Sequence, residues 1–211
     1  MGFVSRVATT GLLVLAVSGG YRLLHIRNFT ERLSPGGAAP RASSSIESEQ
    51  FAPADNLERI ELAELRAAAD RLRNSRAPLN IAMYAFTDRA IGQLLTEEAD
   101  AGTMIRVYRD GEQYEAEERE AKQNGRGSVT SMFRGHPNIQ VRVKPASRSD
   151  LMHLKCWSDG RVLRDGSANW SQAGLKRQDN EIRFTAVPQE VQSFNRNFEQ
   201  LWNRPTNIRV Q

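Results

Sequence analysis

From Leu151 to Ile182 the chain reads LMHLKCWSDGRVLRDGSANWSQAGLKRQDNEI, and this one stretch gathers most of the groups that could hold, protonate or attack a phosphate. His153 stands two residues before Lys155, Gly166-Ser167-Ala168-Asn169 follows, and Asn180-Glu181 comes later. On a strand, residues i and i+2 share a face, so an imidazole and an ammonium are expected side by side. Gly166 permits a close backbone approach, and the Ser167 and Asn169 side chains add neutral donors. One imidazole able to attack or to donate a proton, one fixed cation and two neutral donors suit a phosphodiester passing through five-coordinate phosphorus without a metal.

These groups need a scaffold, and the flanking pattern predicts one. A helix is expected to begin near Asp55 or Asn56, with Leu57, Ile60, Leu65 and Leu72 falling near one face. LNIAMYAF, residues 79–86, has the length and flanks of a buried strand. DRAIGQLLTEEADAG reads as a helix ending at Gly102, and TMIRVYRD as the next strand. Strand, helix, strand in that order implies a parallel crossover. A helix and a loop are expected over GEQYEAEEREAKQNGRGSVTSMFRG, then a strand at IQVRV and a hairpin from Met152 to Leu163 turned at Ser158-Asp159-Gly160. A strand at EIRFTAV and a closing helix, Gln189 to Trp202, follow. The expected class is therefore α/β, with a mixed, largely parallel sheet flanked by helices on both faces. No internal repeat is visible.

With 211 residues, 39% hydrophobic and 26% charged, the chain can bury one ordinary domain with some residues left for tails. Its single cysteine, Cys156, excludes an intrachain disulfide and a cysteine-based metal site, and reads as a small packed hydrophobe on a strand. After Arg6, the segment VATTGLLVLAVSGGY carries no charge until Arg22, which falls short of the ~20 apolar residues of a membrane-crossing helix. Residues 1–27 are expected to be a signal peptide cleaved after Ala16-Val17-Ser18, or an uncleaved membrane anchor. Either reading exports the protein, to the periplasm for instance, or tethers it to a membrane. Residues 28–54, rich in Ser, Pro, Gly and Ala, read as a flexible linker, leaving residues 55–211 as the catalytic domain. Charge is split along that domain. Asp55 to Glu118 carries 14 acidic against 8 basic residues, and Arg119 to Arg183 carries 6 against 13, a balance of +7 in the half that contains the motif. Its field should draw in a polyanion.

His153-x-Lys155, Asp159, Gly166-Ser167-x-Asn169 and Asn180-Glu181 together resemble the HKD signature of the phospholipase D superfamily. Upstream, NIAMYAFTDRAIGQLLTEEADAGTMIRVYRDG resembles the first strand-helix-strand unit of its single-motif nuclease and mitochondrial-type branch, so the likeness runs from about Ile60 to Trp202. One departure stands out. The family has four residues between the lysine and the aspartate, whereas Cys156-Trp157-Ser158 is three. A missing strand residue flips the side-chain alternation unless a bulge or a tighter turn absorbs it, so Asp159 may serve to start the hairpin turn with Gly160 instead of playing the family's role.

The resemblance implies metal-independent hydrolysis without a cofactor, through a covalent phosphohistidine. Two motifs meet across a two-fold axis, one histidine attacking phosphorus while the other protonates the leaving oxygen. Here only one motif is present. His25 lies in the leader and His136 sits in FRGHPN without an H-x-K context, so a second copy is expected to supply the second His153 in a homodimer with one composite site. By the same resemblance Lys155 and Asn169 hold phosphoryl oxygens, Ser167 supports the phosphate or the imidazole, and Glu181 orients the histidine. The substrate stays open between a nucleic acid and a membrane phospholipid. A non-catalytic nucleic-acid binder that kept the fold is the alternative from another class.

Overall fold

Leu79–Met83 is buried at all five positions, as a strand covered on both faces should be, and the sheet is built outward from it. The computed structural model describes residues 12–17, 20–25, 57–73 and 75–210. In chain order the elements are β1 (Leu12–Val17), β2 (Gly20–His25), α1 (Leu57–Leu72), β3 (Leu79–Met83), α2 (Arg89–Asp100), β4 (Ile105–Arg109) and α3 (Gly111–Gln123). After a 3-10 turn at Thr130–Phe133 come β5 (Ile139–Val143), β6 (Lys155–Ser158), β7 (Leu163–Gly166), α4 (Gln172–Lys176), β8 (Ile182–Thr185), α5 (Pro188–Trp202) and β9 (Ile208–Val210).

β1 and β2 pair as an antiparallel ribbon. The main sheet has seven strands in the order β8-β7-β6-β3-β4-β5-β9. Its centre is parallel, β3 with β4 and β4 with β5, and its outer ladders are antiparallel, so the domain is α/β with a mixed sheet. Alternation along the central strands splits the core into two layers. Ile81, Met83, Ile105, Val107 and Trp157 pack with α1 and α2, whereas Ala82, Tyr108 and Leu163 pack under Val191, Phe194, Phe198 and Trp202 of α5. Burying each such large side chain contributes about 1.5–3 kcal/mol. Asp88 caps α2 through Ile91 N at 3.0 Å, and Gly102 ends that helix at a positive φ of 102°.

Several expectations are revised. The hairpin's arms are Lys155–Ser158 and Leu163–Gly166, not Met152 to Leu163, so His153 precedes the strand. Sequence periodicity missed α4 and β9, which span only 5 and 3 residues. The candidate caps Asp55 and Asn56 and the linker 28–54 lie outside the described residues. Among the described residues, no helix is long and apolar enough to cross a membrane.

Candidate active site

The site forms where β3 and β6 leave the sheet. Met83 pairs with Lys155, and Tyr84 N donates to Leu154 O at 2.9 Å, which carries the antiparallel contact one step past the strands. His153 is thereby exposed opposite the exit of β3, while its neighbour Met152 is buried. The Met152 N–H donates to Asp110 Oδ2 at 2.8 Å, and Asp110 Oδ1 caps α3 through Gln113 N at 3.2 Å. A buried carboxylate therefore ties the histidine segment to the start of α3.

Tyr84 is the surface on which the motif rests. Its ring centroid lies 4.5 Å from that of His153, edge to face, and Lys155 Nζ sits 4.9 Å from the same ring. Lys155 is only 6% exposed and donates to the His153 carbonyl at 2.9 Å. One residue further, Ala85 N donates to Asn169 Oδ1 at 3.3 Å, which leaves the Asn169 NH2 group as a donor for a ligand. The structure thus brings His153, Lys155 and Asn169 together around Tyr84 and Ala85. Burial, with help from the Lys155 charge, holds the His153 imidazole below its ordinary value, and burial does the same to Lys155.

Ser167 and Glu181 form a bracket beside this group. Ser167 Oγ donates to Asn180 Oδ1 at 2.9 Å and accepts from Glu181 N at 3.0 Å, while Ser167 N donates to Glu181 O at 3.1 Å. Glu181 is exposed and holds Ser167 through its backbone. Only glycine fits at 166, where φ is 139° and a Cβ would lie 2.3 Å from Glu181 O.

Asp159 lies elsewhere. It sits at the other end of β6 from Lys155, where Oδ1 accepts from Arg161 N at 2.8 Å and Val162 N at 2.7 Å, and Oδ2 pairs with Arg71 of α1. It shapes the turn, with Gly160 at a positive φ of 88°. The β6–β7 ladder is regular, Trp157 opposite Arg164 and Ser158 opposite Leu163, so the shortened Lys155–Asp159 spacing is absorbed without a bulge. His136 belongs to the opposite end of the sheet, where Asn138 O caps β4 and the His136 ring contacts Asp100 Oδ1 at 3.0 Å. Cys156 is packed within β6, its thiol pushed up to about 11 by burial. Among the described residues, no three His, Cys, Asp or Glu side chains are grouped to hold a metal ion.

With this geometry in place, residues 69–202 match the family described as cardiolipin synthase, PLD-like domain. The chain belongs to this phospholipase D-like family. It is similar to mitochondrial cardiolipin hydrolase of Chlamydomonas reinhardtii, 25% identical over 134 residues, which are 64% of this chain and 55% of that protein. The chain therefore spans a little over half the length of that relative. Its fold resembles NucT from Helicobacter pylori (TM-score 0.53, 18% identity, 71% of this chain and 92% of that one). It also resembles Nuc from Salmonella typhimurium, a phospholipase D family member (TM-score 0.50, 16% identity, 70% of this chain and 90% of that one).

Around this phospholipase D-like constellation lies a set of buried charges that sequence reasoning missed. Arg164, fully buried on β7, donates to the carbonyl of Lys155 and, at 3.1 Å, to that of Ala168, the residue before Asn169. Its charge is met by fully buried Glu61 of α1, 2.8 Å away, which also accepts from Trp157 Nε1 at 2.6 Å. Across the sheet Arg109 pairs with Glu117 at 2.7 Å and bonds Met83 O, and Glu117 Oε1 accepts from Phe86 N at 3.0 Å. Burial raises the Glu117 carboxyl against the pull of Arg109. One pair grips the backbone beside Lys155 and Asn169, the other the chain on either side of Tyr84 and Ala85. The only sequence signal for them was a pair of basic residues on strands read as buried.

Proposed function

We propose that this chain is a metal-independent phosphodiesterase, an endonuclease cleaving DNA or RNA through a covalent phosphohistidine at a site shared by two copies. The observation that carries this reading is the arrangement of His153 and Lys155 on one face of Tyr84, with Asn169 held by the next N–H. In one copy a neutral His153 ring nitrogen attacks phosphorus. Lys155 and Asn169 hold the non-bridging oxygens, where charge develops in the transition state. The P–O bond to the leaving strand breaks as the partner subunit's His153 gives that oxygen its proton. Water then attacks phosphorus, the partner subunit's His153 takes up the proton, and the P–N bond breaks, which restores the neutral imidazole.

The depressed imidazole pKa favours the neutral attacker. The role of Glu181 in orienting an imidazole rests on the family pattern, and Ser167 is assigned to the phosphate side of the bracket it forms with Asn180. Nucleic acid is the preferred substrate because residues 119–183 carry a balance of +7, which suits a polyanion. A second reading, a phospholipid hydrolase, is favoured by Leu151, 41% exposed two residues from His153, and by the likeness to a cardiolipin hydrolase. Offering the full chain plasmid, single-stranded DNA, RNA and anionic phospholipid vesicles in parallel, with EDTA present, tests the proposal. Cleavage of nucleic acid in EDTA is expected. Hydrolysis of lipid alone, or loss of all activity in EDTA, overturns it.

A further inference from the structure

A groove of about 410 Å³ lies along the C-terminal end of α3 and the loop that follows it, away from the histidine. It is lined by Arg119, Lys122, Arg126 and Arg134, with the hydroxyl of Ser128 and a single carboxylate, Glu118. That carboxylate is already engaged, bound by Arg134 at 2.8 Å and by the Ser128 hydroxyl. Arg119 reaches only Glu115, at 3.6 Å between two exposed side chains. Lys122 and Arg126 form no ion pair among the described residues. Four cations facing one spent carboxylate leave a net positive hollow, and the loop beneath it is pinned by Arg89, which donates to Gly127 O at 2.9 Å.

The groove is connected to the site. A smaller hollow of about 200 Å³ shares Arg126, Gly127 and Ser128 with it and ends at Phe86 and Thr87. Thr87 N donates to Trp170 O at 2.8 Å, next in the chain to Asn169. The opposite end of α3 touches the site directly, since Gln113 Nε2 donates to Tyr84 Oη at 3.1 Å. From Gln113 to Lys122 the helix advances about 14 Å at 1.5 Å per residue. At 3.4 Å per phosphate on one strand of a duplex, that is about four phosphates.

We propose that this groove is a second phosphate-binding subsite, which holds the backbone of a nucleic-acid strand about four phosphates from the diester at His153. The inference rests on the nuclease reading and adds where the rest of the strand lies. Contacts of this kind are made to phosphates and not to base edges, so the subsite adds affinity without sequence preference.

The test compares wild type with Lys122→Glu/Arg126→Glu and with the milder Lys122→Gln/Arg126→Gln, all as full chains with melting temperatures recorded. Substrates are a single-stranded DNA of about 12 nucleotides, the length class that such binding sites span, a dinucleotide and bis(p-nitrophenyl) phosphate. Affinity for the oligonucleotide should fall at least about tenfold in the double Glu variant, and the slope of log K against log salt should become shallower by about 2 in the Gln variant. Turnover of the dinucleotide and of the small chromogenic diester should be unchanged. Unaltered oligonucleotide affinity in a folded variant overturns the subsite while leaving the nuclease reading standing. Loss of binding to anionic phospholipid vesicles with oligonucleotide binding intact overturns it in favour of a membrane contact. A wild type that turns over the chromogenic diester but neither binds nor cuts nucleic acid overturns both.

Discussion

The ring of Tyr84 and the imidazole of His153 meet edge to face with centroids 4.5 Å apart, and the Lys155 ammonium lies 4.9 Å from the same ring. A single aromatic side chain thereby spaces the candidate nucleophile from the candidate cation. Tyr84→Phe keeps the ring and gives up only the contact with Gln113, so its activity should stay within about threefold of wild type. Tyr84→Ala removes the ring and the cation–π contact, worth about 0.5–2 kcal/mol, and should lower kcat by at least about tenfold. Steady-state kinetics on a small diester separate the two. Equal effects would place the importance in the hydroxyl and not in the ring.

The two histidines described in the domain should behave differently. His153→Ala is expected to lower turnover by about 10²–10⁴-fold or more with the melting temperature nearly unchanged, because the exposed imidazole does chemistry and little packing. His136→Ala, at the opposite end of the sheet, should leave turnover near wild type. Similar losses in both variants would remove His153 from the nucleophile's role.

A shared site makes activity depend on pairs of chains. When wild type is mixed with His153→Asn and the subunits are allowed to exchange, activity should follow the square of the wild-type fraction, since a mixed dimer lacks either attacker or acid. A linear response together with a monomeric mass would sink the composite site.

The proton affinity of His153 should depend on its neighbour. The Lys155 charge disfavours the imidazolium and so lowers the pKa, after burial, which is the larger cause. Lys155→Met removes that charge and should move the His153 pKa upward, so that at a given pH less of the imidazole is neutral. Histidine proton resonances followed through a pH titration of the full chain report the shift. A downward movement, or none, would show that the two groups are not coupled.

The Arg164–Glu61 pair should separate stability from activity. Arg164→Met alone leaves Glu61 as a buried, unpaired charge and should cost about 3–5 kcal/mol of stability. Adding Glu61→Gln removes that charge while keeping an acceptor for Trp157 Nε1, so most of the stability should return. Turnover should not return with it, because the carbonyls of Lys155 and Ala168 have lost the guanidinium that held them. Melting temperature and kcat measured on the same samples decide this, and full recovery of both would make the pair structural only.

Much was settled by local chain properties. The buried runs that became β3, β4 and β5, the cap at Asp88 and the stop at Gly102 depend on residues within one or two turns of each other, so periodicity and capping chemistry reveal them. The motif from His153 to Asn169 is likewise local, and its residue types alone point to phosphate chemistry. What tertiary structure decided is how those groups are held. Register between β3 and β6 sets Met83 opposite Lys155, and that places Tyr84 under both His153 and Lys155 although it stands 69 and 71 positions earlier in the numbering. Glu61 reaches Arg164 across 103 positions, and Asp110 reaches Met152 across 42. Asp159 belongs to the motif by sequence but to the far turn in space, because a four-residue strand lies between it and Lys155. No local pattern encodes such contacts: they arise when strands pair in one register and helices settle on the sheet, and only then does a buried charge have a partner.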